Sequence, residues 1–200
     1  RQAQALIIGE KFLKSDPSCL ILGDNLFHGK DLLLSLKKAD QDIKNASVIT
    51  YPVKNPQRFG VLEKRKNKPY KIIEKPKKPK SKRAITGIYF YPKNVSKEAK
   101  KLTPSKRGEL EISDLNQFFL KINQLAVTEL GKNSTWLDCG TFDSLLKASN
   151  FVAKTQLKQQ TKSACLEEIA FKNKWISKKQ VLEIIEISSS SYGKYLKQVI

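Results

Sequence analysis

Along this 200-residue chain the hydrophobic positions change period several times, and each change marks an element. Ala3, Leu6, Ile7 and Phe12 recur at helical spacing and predict an amphipathic helix over residues 3–13, broken by Ser15-Asp16-Pro17-Ser18. Cys19-Leu20-Ile21-Leu22 is a short unbroken apolar run, the pattern of a strand buried in a parallel sheet. Leu32, Leu36, Ala39 and Ile43 return to the helical period. Residues 47–53 are strand-like, and Pro52, with no N–H to donate, requires an edge position or an early end. Helix, strand, helix, strand is the order of a βαβ-built sheet.

Two β-prone runs, Phe59–Glu63 and Tyr70–Pro76, flank Lys66-Asn67-Lys68 and predict a hairpin. Ala84–Tyr91 reads as a strong strand with Gly87 inside it, where a glycine marks either a bulge or the close approach of a ligand or backbone. Leu110, Ile112, Leu115, Phe118, Phe119 and Ile122 trace a helix entered through the charged loop 105–109. Strands follow at Leu125–Leu130 and Thr135–Leu137, then a long helix from Phe142 through Ala153. The tail from about residue 165 is helical, with Val181, Ile184 and Ile185 on one face and a flexible Ser188–Ser191. No internal repeat is visible. The expected division is a catalytic part over residues 1–157 and a helical tail over 158–200 that packs on it.

Composition narrows the class. A hydrophobic content of 40% and a charged content of 28% are those of a globular protein; no apolar run reaches membrane length, and no signal peptide is expected. The three cysteines, Cys19, Cys139 and Cys165, fit neither a disulfide framework nor a zinc pattern, which points to a reducing cytoplasm. The net charge is +19, yet only five of the 38 basic residues are arginine. Eleven of them fall between residues 64 and 83, against the single acid Glu74. Dispersed lysines without interleaved aromatics are the mark of a solvated surface, not of a nucleic-acid reader, and neither nucleic acid nor membrane is an expected partner.

Candidate chemistry gathers at two aspartates. Asp24, in Leu22-Gly23-Asp24-Asn25, and Asp138, in Trp136-Leu137-Asp138-Cys139-Gly140-Thr141, each follow a short β-prone run and precede small residues. That pattern offers a side chain at the carboxyl end of a strand, where open α/β sheets bind ligands. Two such carboxylates can hold one Mg²⁺ against a polyphosphate; the plain alternative is two aspartates that cap turns. Lys75 is distinguished from the other lysines because Pro76 ends its strand immediately after it. The only histidine, His28, reads as a packing residue.

Taken in order, these motifs resemble the sugar-1-phosphate nucleotidylyltransferases. The elements are Ala3-Gln4-Ala5, Leu22-Gly23-Asp24-Asn25, Phe59-Gly60-Val61, Glu74-Lys75-Pro76, Thr86-Gly87-Ile88-Tyr89, Arg107-Gly108-Glu109-Leu110-Glu111-Ile112 and Trp136–Thr141, with Glu167–Phe171 and Tyr192–Leu196 in the tail. The resemblance spans essentially the whole chain. It implies an α/β, Rossmann-like nucleotidyltransferase fold with a mixed, mostly parallel central sheet, incomplete at the N-terminus, plus a C-terminal helical appendage. It further implies Mg²⁺-dependent thymidylyl transfer from dTTP to α-D-glucose 1-phosphate, giving dTDP-glucose for dTDP-rhamnose synthesis, and a homotetramer. By position, Asp24 and Asp138 would hold the metal, and Lys75 and Arg107 would act on the phosphates. Gln4 would meet the base, and Asn25, Gly60, Glu74, Gly87 and Tyr89 would line the sugar pocket with Lys75 beside its phosphate.

The sequence also departs from the family. Its glycine-rich phosphate loop, with an arginine and a following lysine, has no counterpart here, and Arg1 and Gln2 stand where the family has a glycine and a leucine. Phe59 replaces a tyrosine and Cys139 a threonine. Residues 1–200 alone are therefore expected to be inactive. Two alternatives remain open at this stage: uridylyl transfer to the same sugar, and a non-catalytic split or decayed chain that needs a separate N-terminal partner.

Overall fold

A computed structural model describes residues 2–41, 44–188 and 190–200. Arg1, Ile43 and Ser189, which figure in the expectations above, lie outside the described residues. The chain forms two compact units, Arg1–Gly140 and Thr141–Ile200. The division falls before the long helix, so that helix groups with the tail and not with the sheet.

In the first unit, helices α1 (Gln2–Ile8) and α2 (Glu10–Leu13) precede strand β1 (Ser18–Ile21). The expected single helix is interrupted at Gly9, whose carbonyl accepts from Leu13 N–H at 2.9 Å. Then come β2 (Asn25–Gly29), α3 (Leu32–Asp40), β3 (Ala46–Pro52), β4 (Gly60–Arg65), β5 (Lys68–Glu74), β6 (Arg83–Tyr91), α4 (Val95–Ala99), α5 (Ile112–Lys121), β7 (Leu125–Glu129) and β8 (Ser134–Asp138). The main sheet has the order β5-β4-β6-β3-β7, with β1 also paired to β6; β2 and β8 form a separate two-stranded ladder.

The sheet is mixed, as expected, but its pairs are mostly antiparallel: among the described strands only β3 and β7 pair in parallel. The reason is the placement of β6. Strands β1, β3 and β7 share one direction, as crossover connections require, but β6 runs the other way between β1 and β3 and converts those contacts into antiparallel ones. The burial of β1 differs from expectation for a related reason. It pairs with β6 along one edge, and Cys19 and Ile21 face solvent, Ile21 with 61% of its surface exposed. Pro52 ends β3, where its missing N–H does least harm. The β4–β5 hairpin turns at Lys66 and Asn67, both with positive φ (48° and 63°), the backbone that a two-residue hairpin turn demands.

The core explains the order. Val48, Leu62, Tyr89 and Tyr91 from the sheet pack with Ala3 and Leu6 of α1 and with Ile112, Leu115 and Phe119 of α5 in one cluster. A second cluster gathers Ala39, Ile49, Ala84, Ile88, Leu130 and Trp136, with Phe27 and Phe59 against it. The ladder β2–β8 was only half visible beforehand, because Asn25–Gly29 is too short and polar to announce a strand.

The second unit holds α6 (Phe142–Gln159), α7 (Leu166–Lys172), α8 (Lys178–Ile187) and α9 (Ser191–Val199). Two capping boxes start its helices, Thr141 with Ser144 and Ser177 with Gln180. Its core is small: Cys165, Val181, Ile185 and Leu196. Among the described residues no helix is long and apolar enough to cross a membrane.

Candidate active site

A cavity of about 610 Å³ opens in the first unit, a size suited to a small polar ligand. Asp24, Asn25, Gly60, Glu74, Lys75, Gly87, Tyr89, Arg107 and Asp138 all line it. Nine of the ten predicted site residues therefore meet in one place. Gln4 does not: it is exposed on α1 and does not line the cavity, whereas Gln2 does. Two positions along a helix turn the side chain by about 200°, so both glutamines cannot face the same cleft. His28 sits in β2 opposite Thr135 and is not a lining residue.

The β2–β8 ladder creates the acidic pole. Its antiparallel register sets Asn25 opposite Asp138, and Cys139 N–H donates to the Asp24 carbonyl at 2.7 Å, so the two aspartates stand on neighbouring ends of one strand pair. Burial pushes the Asp138 carboxyl above the usual carboxylate range; the Arg58 guanidinium opposes that shift and the charge of Asp24 adds to it. Arg58 Nη2 donates to Asp138 Oδ2 at 2.7 Å. Asn25 has a supporting part: its Oδ1 accepts from Trp136 Nε1 at 2.6 Å and its Nδ2 donates to Asp24 Oδ1 at 2.8 Å. The Asn25 amide lies over bare backbone, since a Cβ on Gly87 would fall 2.5 Å from Asn25 Oδ1.

Another part of the cavity wall carries Glu74. Ser113 Oγ donates to its Oε2, and a Cβ on Gly60 would come within 2.6 Å of that same serine oxygen, so Gly60 admits the pair. Gln117 Oε1 accepts from Ile72 N–H at 2.7 Å and pins α5 to β5, which fixes Ser113 against Glu74. Burial raises the Glu74 carboxyl; the Ser113 hydrogen bond opposes, and the nearby Glu111 adds to the rise. Lys75 takes a positive φ of 41°. That break in strand geometry lets consecutive side chains, Glu74 and Lys75, line the same cavity instead of alternating between faces.

Arg107 is surrounded by carboxylates. It lines the cavity, but its guanidinium is paired with Glu109 Oε2 at 3.2 Å and lies 3.7 Å from Glu111 and 3.9 Å from Glu74. It neutralises an acid cluster. The exposed Lys75 side chain and Arg58 are the cavity's other cations.

On the cavity floor two buried polar atoms have no protein partner: Thr86 Oγ1 and Asn116 Nδ2, on residues that are 0% exposed. The Asn116 oxygen is satisfied by Tyr91 O–H at 2.8 Å, which aims the remaining amide N–H₂. Buried polar groups are ordinarily paired, and a ligand rich in hydroxyls would pair these. Arg58, Thr86, Ser113, Asn116 and Trp136 were not among the predicted site residues. One signal was available: Ser113 and Asn116 are polar interruptions three residues apart in an otherwise apolar helical stripe.

The donor set suits a hard cation. Among the described residues no group of three or more His, Cys, Asp or Glu side chains converges on a metal position. One or two carboxylates are what Mg²⁺ uses when phosphate and water complete its octahedron.

The sequence pattern of the nucleotidyl transferase family matches residues 1–155. A glucose-1-phosphate thymidylyltransferase of Neisseria meningitidis serogroup A / serotype 4A is 46% identical over 200 residues, covering 99% of this chain and 69% of that protein. One from Xanthomonas campestris pv. campestris is 45% identical over 196 residues, covering 97% of this chain and 66% of its own. A Bacillus anthracis chain assigned as a glucose-1-phosphate thymidylyltransferase, solved with sucrose, superimposes with a TM-score of 0.66 at 41% identity; the match covers 74% of this chain and 59% of that one. A UDP-glucose pyrophosphorylase bound to UDP-glucose matches with a TM-score of 0.66 at 21% identity, which speaks to the fold alone.

Proposed function

The chain belongs to the nucleotidyl transferase family, and from that premise we propose that it serves thymidylyl transfer from dTTP to α-D-glucose 1-phosphate. A phosphate oxygen of the sugar phosphate attacks the α-phosphorus of dTTP, the bond to the β-phosphate oxygen breaks, and pyrophosphate leaves. The observation that carries the reading is the presence, in one cavity, of an aspartate pair together with unpartnered buried polar groups. The names of the relatives support the choice of thymidine and glucose.

In this reading Asp24 and Asp138 hold Mg²⁺. When bound, the ion would neutralise charge at the α-phosphate and orient the two reacting phosphates. Asn25 and Trp136 keep Asp24 turned towards that position through their hydrogen bonds. Lys75 carries positive charge to the sugar phosphate as a mobile point charge. Glu74, held by Ser113, accepts from sugar hydroxyls, and Thr86 and Asn116 complete the floor. Arg107 holds the carboxylates of that wall in place. The chemistry asked of the protein is positioning and electrostatic stabilisation.

Binding tests the reading without requiring turnover. Calorimetry of the chain with dTDP-glucose and Mg²⁺ is expected to show saturable binding, weakened at least tenfold by Asp138→Asn and about tenfold by Glu74→Gln. Absence of binding to the wild-type chain overturns the proposal. Equal affinity for UDP-glucose removes the thymidine preference and leaves sugar-nucleotide recognition standing.

A further inference from the structure

Bringing two carboxylates to one strand pair creates a repulsion that the fold must offset. Asp138 keeps only 19% of its side-chain surface in water, and its Oδ2 is occupied by Arg58 at 2.7 Å. Arg58 itself is 41% exposed, and its guanidinium also lies over the Phe59 ring, 5.4 Å from the centroid. Its backbone is anchored: Pro56–Arg58 forms a 3₁₀ turn, closed by Arg58 N–H to the Asn55 carbonyl at 3.3 Å and Phe59 N–H to the Pro56 carbonyl at 3.0 Å. The arrangement is a fixed base with a partly exposed head. It sits on a carboxylate oxygen that a cation would need and beside an aromatic face that can keep the head once it leaves.

We propose that Arg58 is an internal competitor for the metal position: its guanidinium occupies Asp138 Oδ2, and a divalent cation gains full access to the aspartate pair only by displacing it. The inference rests on the reading of Asp24 and Asp138 as metal ligands and adds a residue that controls their availability. Two cations cannot share one carboxylate oxygen at contact distance without strong mutual repulsion, so occupancy by one weakens the other, and the coupling is reciprocal. The device keeps the charge of Asp138 compensated whether or not metal is bound. It also makes metal binding dependent on where the guanidinium goes once displaced.

The test uses Mn²⁺ alone, added to the full chain at fixed pH and salt, with free Mn²⁺ followed by its electron paramagnetic resonance signal. Circular dichroism of each variant checks that the fold is kept. Arg58→Gln is expected to tighten Mn²⁺ binding roughly two- to fivefold, the range expected for removing one partly exposed ion pair. Arg58→Lys, which retains the charge, should stay near the wild-type value. In an Asp138→Asn background the gain from Arg58→Gln should vanish. Unchanged or weaker binding in Arg58→Gln overturns the proposal, and so does a gain that persists in the Asp138→Asn background, because that would be a distant charge effect. If Asp138→Asn abolishes binding while Arg58→Gln changes nothing, the competitor falls and the metal reading stands. If neither wild type nor Arg58→Gln binds Mn²⁺, both fall.

Discussion

Among the described residues between Arg1 and Gly140, fourteen buried apolar ones form one cluster across sheet and helices, among them Leu115, Leu62 and Val48. Among the described residues between Thr141 and Ile200 the corresponding cluster has four, and Phe142, Leu157, Trp175 and Ile187 each show more than 70% of their surface. The polar groups differ in the opposite sense. In the helical unit they form closed circuits: Tyr192 donates to Glu167 and receives the Cys165 thiol at 3.1 Å, Tyr195 donates to Glu168, and Lys172 pairs with that same glutamate. In the sheet unit, Thr86 and Asn116 are left with unpaired atoms at the cavity, and the Ser18, Ser47 and Ser134 hydroxyls are unpaired away from it. A unit with a large apolar core can tolerate unsatisfied polar atoms that line a cavity. A unit with a small one uses its polar groups for cohesion.

The strongest way to break this contrast is to make the same substitution in both cores. Leu115→Ala is expected to destabilise the sheet unit by about 3–5 kcal/mol, because a side chain with no exposed surface leaves a cavity that surrounding strands cannot collapse. Leu196→Ala, equally buried, should cost about 2–3 kcal/mol, since short helices can close on the gap. Native-state hydrogen exchange of α5 and α9 amides reads each effect locally. If the α9 loss equals or exceeds the α5 loss, the helical unit depends on apolar packing as much as the sheet unit does.

A finer test addresses the polar circuits. Burial alone would raise the Glu168 carboxyl, but the Lys172 and Tyr195 hydrogen bonds outweigh it and hold it below the usual glutamate value of 4.5. A depressed carboxylate contributes stability that is fully present above 4.5 and is lost as the pH falls through the lower folded value. Tyr195→Phe removes one donor and is expected to cost about 1 kcal/mol at neutral pH. The difference from wild type should shrink in acid below about pH 4, where Glu168 takes up a proton. Urea titrations followed by far-UV circular dichroism at both pH values check it. A cost that does not change with pH would show that Tyr195 acts through packing.

The two units also differed in how far they could be read in advance. Helical spacing at Val181 and Ile185 and the strand pattern of Ala84–Tyr91 located both cores, because burial follows period. The aspartate pair was legible from small residues after short β runs, and the family resemblance placed Lys75, Glu74, Gly60 and Gly87 on the same cavity. What stayed hidden depends on contacts between segments distant in sequence. Arg58 meets Asp138 across 80 positions, and the β2–β8 ladder that makes the meeting possible is too short to declare itself. Arg107 was expected beside the phosphates, and the three carboxylates around it, Glu74 among them, are visible only when folded. The direction of β6 was hidden for the same reason, since strand pattern carries no polarity.

The smallest effect carries the sharpest sign. Glu74 lies in the sheet unit and, unlike Glu168, is pushed above the usual 4.5, mainly by burial, with the Ser113 hydrogen bond opposing and Glu111 adding. The native state therefore holds the Glu74 proton more tightly than the unfolded chain, and stability falls as the pH rises from 4.5 through the raised folded value. Glu74→Gln keeps an acceptor for Ser113 and removes the buried charge, so it should stabilise the protein at neutral pH by under about 1 kcal/mol while weakening dTDP-glucose binding. Near pH 3 the gain should disappear, because Glu74 is then protonated in both states. Gain of stability with loss of binding marks a carboxylate held at a cost for its ligand. Should Glu74→Gln instead destabilise at neutral pH, Glu74 would be a cohesive group like Glu168, and the distinction between a unit built around a site and a unit built around its own polar circuits would fail at its most exposed point.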